Sequence, residues 1–322
     1  MQKVIRITIN VVIFALIIGF AVYIINMLYT GDAFSGHNLT NGQPEGLSPY
    51  KKSSSFKTKS EIIRFDLLDD KIYIAVNHAV MIYDKAGTLI KQFPVSHEIR
   101  DIKVETGRIY LLYPEGIAVF TAGGEQITGW KAYRINSDYC SFVLSSEFIF
   151  VTDAGNKHIC KYTKEGEFMS IILSPDGFII PSYAFDIINI RDTLYCSNSG
   201  RHRIESYTLA GEYIASFGKS GNEAGQFAGC CNPVNMTATQ RGDILTSEKG
   251  NPRISCFSCD GTFKAMLLGS KMLGGGTKAY RIKVQEDKLY VAGKNVLSEY
   301  VYDPQMAAQS SCAGCPSASH CP

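Results

Sequence analysis

From about residue 60 onward the apolar positions come in short runs rich in Ile, Val, Leu, Tyr and Phe, each cut off by Gly, Asn, Asp or Ser. Runs of this length, bounded by turn residues, predict β-strands rather than helices. They recur in a fixed order. A β-rich run (Ile72–Ala75, Ile109–Leu112, Phe148–Val151, Leu194–Ser197, Ile244–Ser247, Leu289–Ala292) precedes a tract of the form apolar-x-x-aromatic (Val80–Tyr83, Ile117–Phe120, Ile159–Tyr162, Ile204–Tyr207, Ile254–Phe257, Leu297–Tyr300). A turn glycine follows each of the first five tracts: Gly87, Gly124, Gly166, Gly211 and Gly261. The tracts begin at residues 80, 117, 159, 204, 254 and 297, so successive copies are 37 to 50 residues apart. A repeat of that length made of short strands and turns is the pattern of a propeller blade. Six copies predict an all-β, six-bladed β-propeller over residues 59–303, with Ile62–Leu67 as its first inner strand. The sixth copy has little chain left for an outer strand, so a strand at Ser53–Lys57 is expected to close the ring and remove the open edge.

The fullest copy is Phe217–Phe263. A Gly-rich turn (Gly218, Gly221, Gly225) leads to Phe227 and Pro233, then a strand, a polar turn, a second strand, and Asn251, Arg253, Ile254 and Phe257, with Gly261 behind them. This order resembles one repeat of the NHL family. The third copy carries it too, with Asp153, Asn156, His158, Ile159, Tyr162 and Gly166 in register with Glu248, Asn251, Arg253, Ile254, Phe257 and Gly261. The fourth copy is a fair match and the others are degenerate. The resemblance implies a propeller whose faces dock a protein or ligand; it is informative about fold and much less about function. Arg203 and Arg253 fit the repeat's own pattern and read as structural.

The first 30 residues differ from the rest. Residues 7–29 form an uncharged apolar run of 23 residues behind Lys3 and Arg6, and Asp32 is the first charge after it. At a helical rise that run spans a bilayer core. It is long for a signal peptide and has no clean small-residue cleavage site. Residues 1–30 are therefore read as an uncleaved transmembrane signal anchor, giving a single-pass protein of the cell membrane, with the N-terminus cytoplasmic and the propeller extracytoplasmic. Residues 31–58, rich in Gly, Ser, Asn and Pro, read as a linker. The formal net charge of +2 offers no field for nucleic acid.

Ten cysteines add a second pattern. Cys140, Cys160 and Cys196 lie singly in strand runs and read as core residues. Cys256-x-x-Cys259 is either a disulfide or half of a metal site. Residues 304–322 have no core pattern but hold Cys312-x-x-Cys315, Cys321 and His320. This resembles the ferredoxin run of cluster-ligating cysteines, with Ala318 where a third close cysteine would stand. Cys230 and Cys231 fall in the loop between the fourth and fifth blades, on the side of the disc that the tail can reach. The expected site is composite: Cys312, Cys315 and Cys321 with Cys230 or Cys231, holding an iron–sulfur cluster, or zinc with His320 as a further ligand. Disulfides among the same cysteines are the competing reading.

The remaining chemistry is sparse. The chain has no phosphate-binding Gly-rich loop, no nucleophile elbow and no H-E-x-x-H, so no catalytic residue is assigned. His78, His158 and His202 occupy similar places in different blades, which keeps them apart, and they read as loop histidines. Asp101, Asp186 and Asn235 lie on or near inner strands, where a channel-centred hydrolase would need them. Asn38 and Asn235 begin glycosylation sequons. Two functions stand out: an extracytoplasmic binding or assembly module with a protein partner, and a redox protein passing electrons to or from a membrane complex through the cysteine-ligated centre.

Overall fold

The computed structural model describes residues 48–303, apart from 276 and 277, together with residues 18 and 22. The chain divides into two units, Met1–Thr40 and Asn41–Pro322. In the first, Ile18 and Val22 are helical and exposed. Among the described residues no helix is long and apolar enough to cross a membrane; the rest of the apolar run 7–29 lies outside them, as do the cysteines of the tail.

The second unit is a six-bladed β-propeller, each blade a four-stranded antiparallel sheet. Blade 1 is β2 (Arg64–Leu68), β3 (Lys71–Val76), β4 (Ala79–Asp84) and β5 (Leu89–Pro94). Blade 2 is β6 (Asp101–Glu105), β7 (Arg108–Tyr113), β8 (Gly116–Phe120) and β9 (Gln126–Lys131). Blade 3 is β10 (Tyr139–Leu144), β11 (Phe148–Asp153), β12 (His158–Thr163) and β13 (Phe168–Ile172). Blade 4 is β14 (Ile187–Ile190), β15 (Thr193–Asn198), β16 (Arg203–Thr208) and β17 (Tyr213–Phe217). Blade 5 is β18 (Asn235–Ala238), β19 (Ile244–Ser247), β20 (Ile254–Phe257) and β21 (Phe263–Leu268). Blade 6 takes β22 (Arg281–Gln285), β23 (Lys288–Gly293) and β24 (Val296–Tyr302) from the end of the domain and β1 (Tyr50–Lys57) from its start.

Ring closure thus follows the expectation, with differences at the ends. The closing strand begins at Tyr50 rather than Ser53, and it pairs with β24 from Tyr50↔Tyr302 to Lys57↔Val296. The first inner strand starts at Arg64. Ile62 packs in the core just ahead of it, its N–H donating to the Lys294 carbonyl at 2.7 Å.

The middle strands read as continuous apolar runs because both sheet faces are covered: Ile72 to Val76 are all buried. Each face packs against a neighbouring blade, so the core consists of clusters between successive blades. One joins Tyr73 and Ile82 of blade 1 to Ile102, Leu111 and Phe120 of blade 2. Except in blade 5, where no residue of β21 is exposed, the outer strands have exposed positions and carry one large inward side chain. That side chain meets the turn glycine of the next blade. A Cβ on Gly87, Gly124, Gly166 or Gly261 would stand within 2.7 Å of the ring of Phe56, Phe93, Trp130 or Phe217 respectively. These glycines also have φ between +85° and +97°, a region costly for residues with a Cβ. The glycine is therefore required twice, by its backbone and by its neighbour.

Candidate functional site

The inner strands surround a central cavity of about 360 Å³. Strand pairing sorts their inward positions into two tiers. Arg64, Asp101, Ser141, Asp186, Asn235 and Arg281 form the first, opposite Ala75, Leu112, Thr152, Ser197, Ser247 and Ala292 of the second strands. Two residues further on, in the period of a strand, Asp66, Lys103, Val143, Ile188, Thr237 and Lys283 form the second.

The first tier is a nearly continuous hydrogen-bonded ring. Asn235 Oδ1 accepts from Arg64 Nη1 at 2.5 Å and from Arg281 Nη1 at 3.2 Å. Arg64 Nε lies 3.7 Å from Asp101. Ser141 Oγ bridges Asp101 at 2.9 Å and Asp186 at 2.6 Å. The carboxylates also cap neighbouring blades: Asp101 accepts from Phe142 N–H at 3.2 Å and Asp186 from Met236 N–H at 2.6 Å. In the second tier Asp66 accepts from Val104 N–H and pairs with Lys283 at 2.9 Å, and Lys103 reaches Asp101 at 2.8 Å.

These contacts set the electrostatics. Burial opposes ionisation of Asp101, but Lys103 and Arg64 outweigh it and hold its carboxyl below the usual range. Burial lowers Lys103, while for Lys283 the Asp66 contact overcomes burial and raises it. Arg281 is pushed down to about 9, first by burial and then by Arg64. Among the described residues no carboxylate lies within ion-pair distance of Arg281. Four cations face three carboxylates in the two tiers; Glu105, at the channel's end, is taken by Lys164 at 2.7 Å. In the second tier the charge gathers on blades 6, 1 and 2, whereas Val143, Ile188 and Thr237 make the opposite wall neutral.

Asp101, Asp186 and Asn235 therefore stand where the sequence suggested, around the channel. Arg64, Lys103, Arg281 and Lys283 were missed. Their signal is a charged residue at the first or third place of an inner strand, legible only once the blades are in register. Asn235 is 3 % exposed and bonded within the ring, so it is no acceptor for a glycan.

The cysteine site is described only in its loop half. Cys230 and Cys231 lie between β17 and β18, as expected, with their sulfurs 3.0 Å apart. Asn232 is buried and ties this loop to the β19–β20 turn through Lys249 O and Lys249 N–H, while its bond to Ala228 O braces the loop itself. His202 Nε2 contacts Gly229 O at 2.5 Å. The contact with Cys231 raises exposed Cys230, while for Cys231 the contacts with Cys230 and Lys249 outweigh burial and lower it. Cys312, Cys315, Cys321 and His320 lie outside the described residues. Cys259, in the β20–β21 turn, is disulfide-bonded.

Cys140, Cys160 and Cys196 are buried as expected. The loop reading of the histidines is corrected at one of them. His78 is exposed in a turn, and His202 is the left-handed residue at the end of a short 3-10 turn. His158, however, is 2 % exposed at the head of β12. Arg253 and Arg203 are structural: Arg253 grips Glu248 through two hydrogen bonds of 2.6 and 3.0 Å, and Arg203 donates to Glu205 at 2.7 Å.

No protein-family model matches the chain, and no curated protein matches it. Solved structures do. Virginiamycin B lyase from Staphylococcus aureus superposes with a TM-score of 0.57 at 12% identity, covering 78% of this chain and 99% of that one. A streptogramin B lyase gives 0.56 at 15% identity, covering 78% and 97%. A structural-genomics protein of unknown function from Bacteroides thetaiotaomicron VPI-5482 gives 0.57 at 13%, covering 80% and 72%. At these identities the likeness establishes a propeller fold and goes no further.

Proposed function

We propose that the chain is a membrane-anchored, extracytoplasmic binding propeller whose central channel seats a small organic anion. One observation carries this: the channel holds one cation more than its two tiers of carboxylates balance. That cation, Arg281, is half-buried beside a second guanidinium with only neutral acceptors, the Ile63 carbonyl at 2.9 Å and Asn235, in hydrogen-bonding contact. A ligand carboxylate placed there relieves the repulsion between Arg64 and Arg281 and forms charge-assisted hydrogen bonds. The neutral wall of Val143 and Ile188 suits an apolar portion of the same molecule. The anchor rests on residues 7–29, and a protein partner or membrane complex would dock on the disc's faces. Lyase activity is not carried over from the structural neighbours, since fold likeness does not transfer a site.

Isothermal titration with butanoate and with inorganic phosphate tests the channel. Binding of either, lost in Arg281→Met while circular dichroism stays unchanged, is the expected result. Absence of binding by both, or binding untouched by Arg281→Met, overturns it.

The paired sulfurs of Cys230 and Cys231 favour a second reading, a redox protein in which these thiols join Cys312, Cys315 and Cys321 around an iron–sulfur cluster, or zinc with His320. Peptide mapping without reduction tests it. If Cys259 proves to be paired with Cys312, Cys315 or Cys321, the composite centre loses a thiolate and this reading falls. Iron in anaerobically purified protein, lost in Cys231→Ser, supports it.

A further inference from the structure

Each NHL-like blade builds the same buried corner where its second strand ends and its third begins. In blade 5 the corner holds Glu248, Arg253 and Ser255; in blade 4 it holds Asn198, Arg203 and Glu205. Both contain a buried carboxylate neutralised by an arginine. In blade 3 the same positions are Asp153, His158 and Cys160, with Asp153 opposite His158 in the ladder. Here the arginine is missing.

The substitution leaves an electrostatic gap. Asp153 and Cys160 are fully buried, and His158 nearly so. The imidazole of His158, unlike the guanidinium it stands in for, is not a permanent cation. Its Nε2 has no hydrogen-bond partner and lies 3.8 Å from Asp153 Oδ2. Asp153 is itself held by Asp138 N–H and by the backbone and side chain of Asn156. The ligand atoms of Asp153, His158 and Cys160 all lie within 4.8 Å of one another. The Tyr139 hydroxyl stands 4.0 Å from the Cys160 sulfur, bordering the fourth side.

We propose that Asp153, His158 and Cys160 form a structural site for a divalent transition metal of the zinc class, which supplies in blade 3 the positive charge that arginine supplies in blades 4 and 5. One nitrogen, one sulfur and one carboxylate oxygen match the ligand preferences of zinc. Metal bonds of about 2.0 to 2.3 Å require the three side chains to close by an ångström or less on the ion. Binding releases the Cys160 proton to solvent; carboxylate and thiolate then balance a dication, with His158 neutral. The site is closed, so the ion enters during folding.

The test uses the full chain with Cys230, Cys231, Cys312, Cys315 and Cys321 replaced by Ser, refolded with cobalt or zinc. Cobalt should give a thiolate-to-metal charge-transfer band in the near ultraviolet and one metal per chain, and zinc should raise the melting temperature. Cys160→Ser should abolish the band. His158→Arg, which restores the arginine of the other blades, should keep the fold, bind no metal and lose the melting shift. Absence of the band in the starting protein overturns the proposal, as does a band that survives either substitution. If Cys160→Ser fails to fold, His158→Arg decides.

Discussion

The contact between an outer-strand side chain and the next blade's turn glycine makes a sharp prediction at Trp130 and Gly166. Gly166 has φ +97°, and a Cβ there would sit 2.5 to 2.9 Å from three ring atoms of Trp130. Gly166→Ala therefore carries two costs: about 1 to 2 kcal/mol for the left-handed backbone and about 1 to 3 kcal/mol for overpacking. Trp130→Ala removes a partly buried ring and should cost about 3 kcal/mol. In the double mutant the clash has no partner, so only the backbone cost of Gly166→Ala remains. The double mutant should then be more stable than the sum of the singles by about 1 to 3 kcal/mol, well above the ~0.5 kcal/mol within which independent sites add. Urea unfolding of the four proteins, followed by far-ultraviolet circular dichroism, measures this directly. Additivity within that margin would refute the lock, because it would mean that the alanine methyl and the indole never meet.

Two further outcomes follow from the ring and the channel. Phe56 on the closing strand packs on Gly87 and on Tyr83, ring centroids 5.0 Å apart; Phe56→Ala should cost about 2 kcal/mol and lower the melting temperature by ~4 to 8 °C, whereas Ser54→Ala on the exposed side of the same strand should stay within about 0.5 kcal/mol, and equal effects would mean that β1 does not close the disc. Asp101 has a folded pKa below its ordinary 3.8, so its stabilisation is complete above that value and is lost as pH falls through the folded value; Asp101→Asn should cost about 3 kcal/mol at neutral pH by stranding Lys103 and Arg64, with the difference from the parent shrinking as pH falls below 3.8, and a pH-independent difference in unfolding midpoints would count against the pairing.

The repeat itself was legible in the chain because each blade is a local object. Strand, turn and strand lie next to one another in sequence, and both sheet faces are buried, so Ile72–Ala75 or Leu289–Ala292 stand out as unbroken apolar runs. Gly124 and Gly261 announced their turns because only glycine tolerates that backbone. Even ring closure could be inferred from a missing strand. The channel was different. Arg64, Asp101, Asn235 and Arg281 come from four blades and are up to 217 residues apart; their proximity arises from the closure of the ring, which no local pattern encodes. Asp101, Asp186 and Asn235 were suspected from their places near inner strands, but the cations that define the channel's charge were not. His158 shows the same limit at close range. Its sequence setting matched that of exposed turn histidines, and only the packing of blade 3 against its neighbours buried it beside Asp153 and Cys160. Local sequence determined what each sheet is, because hydrogen-bonded hairpins and turn geometry are decided within some forty residues. The tertiary structure decided which charges and ligands meet, because burial and Coulomb coupling depend on distances that exist only after the six sheets have closed.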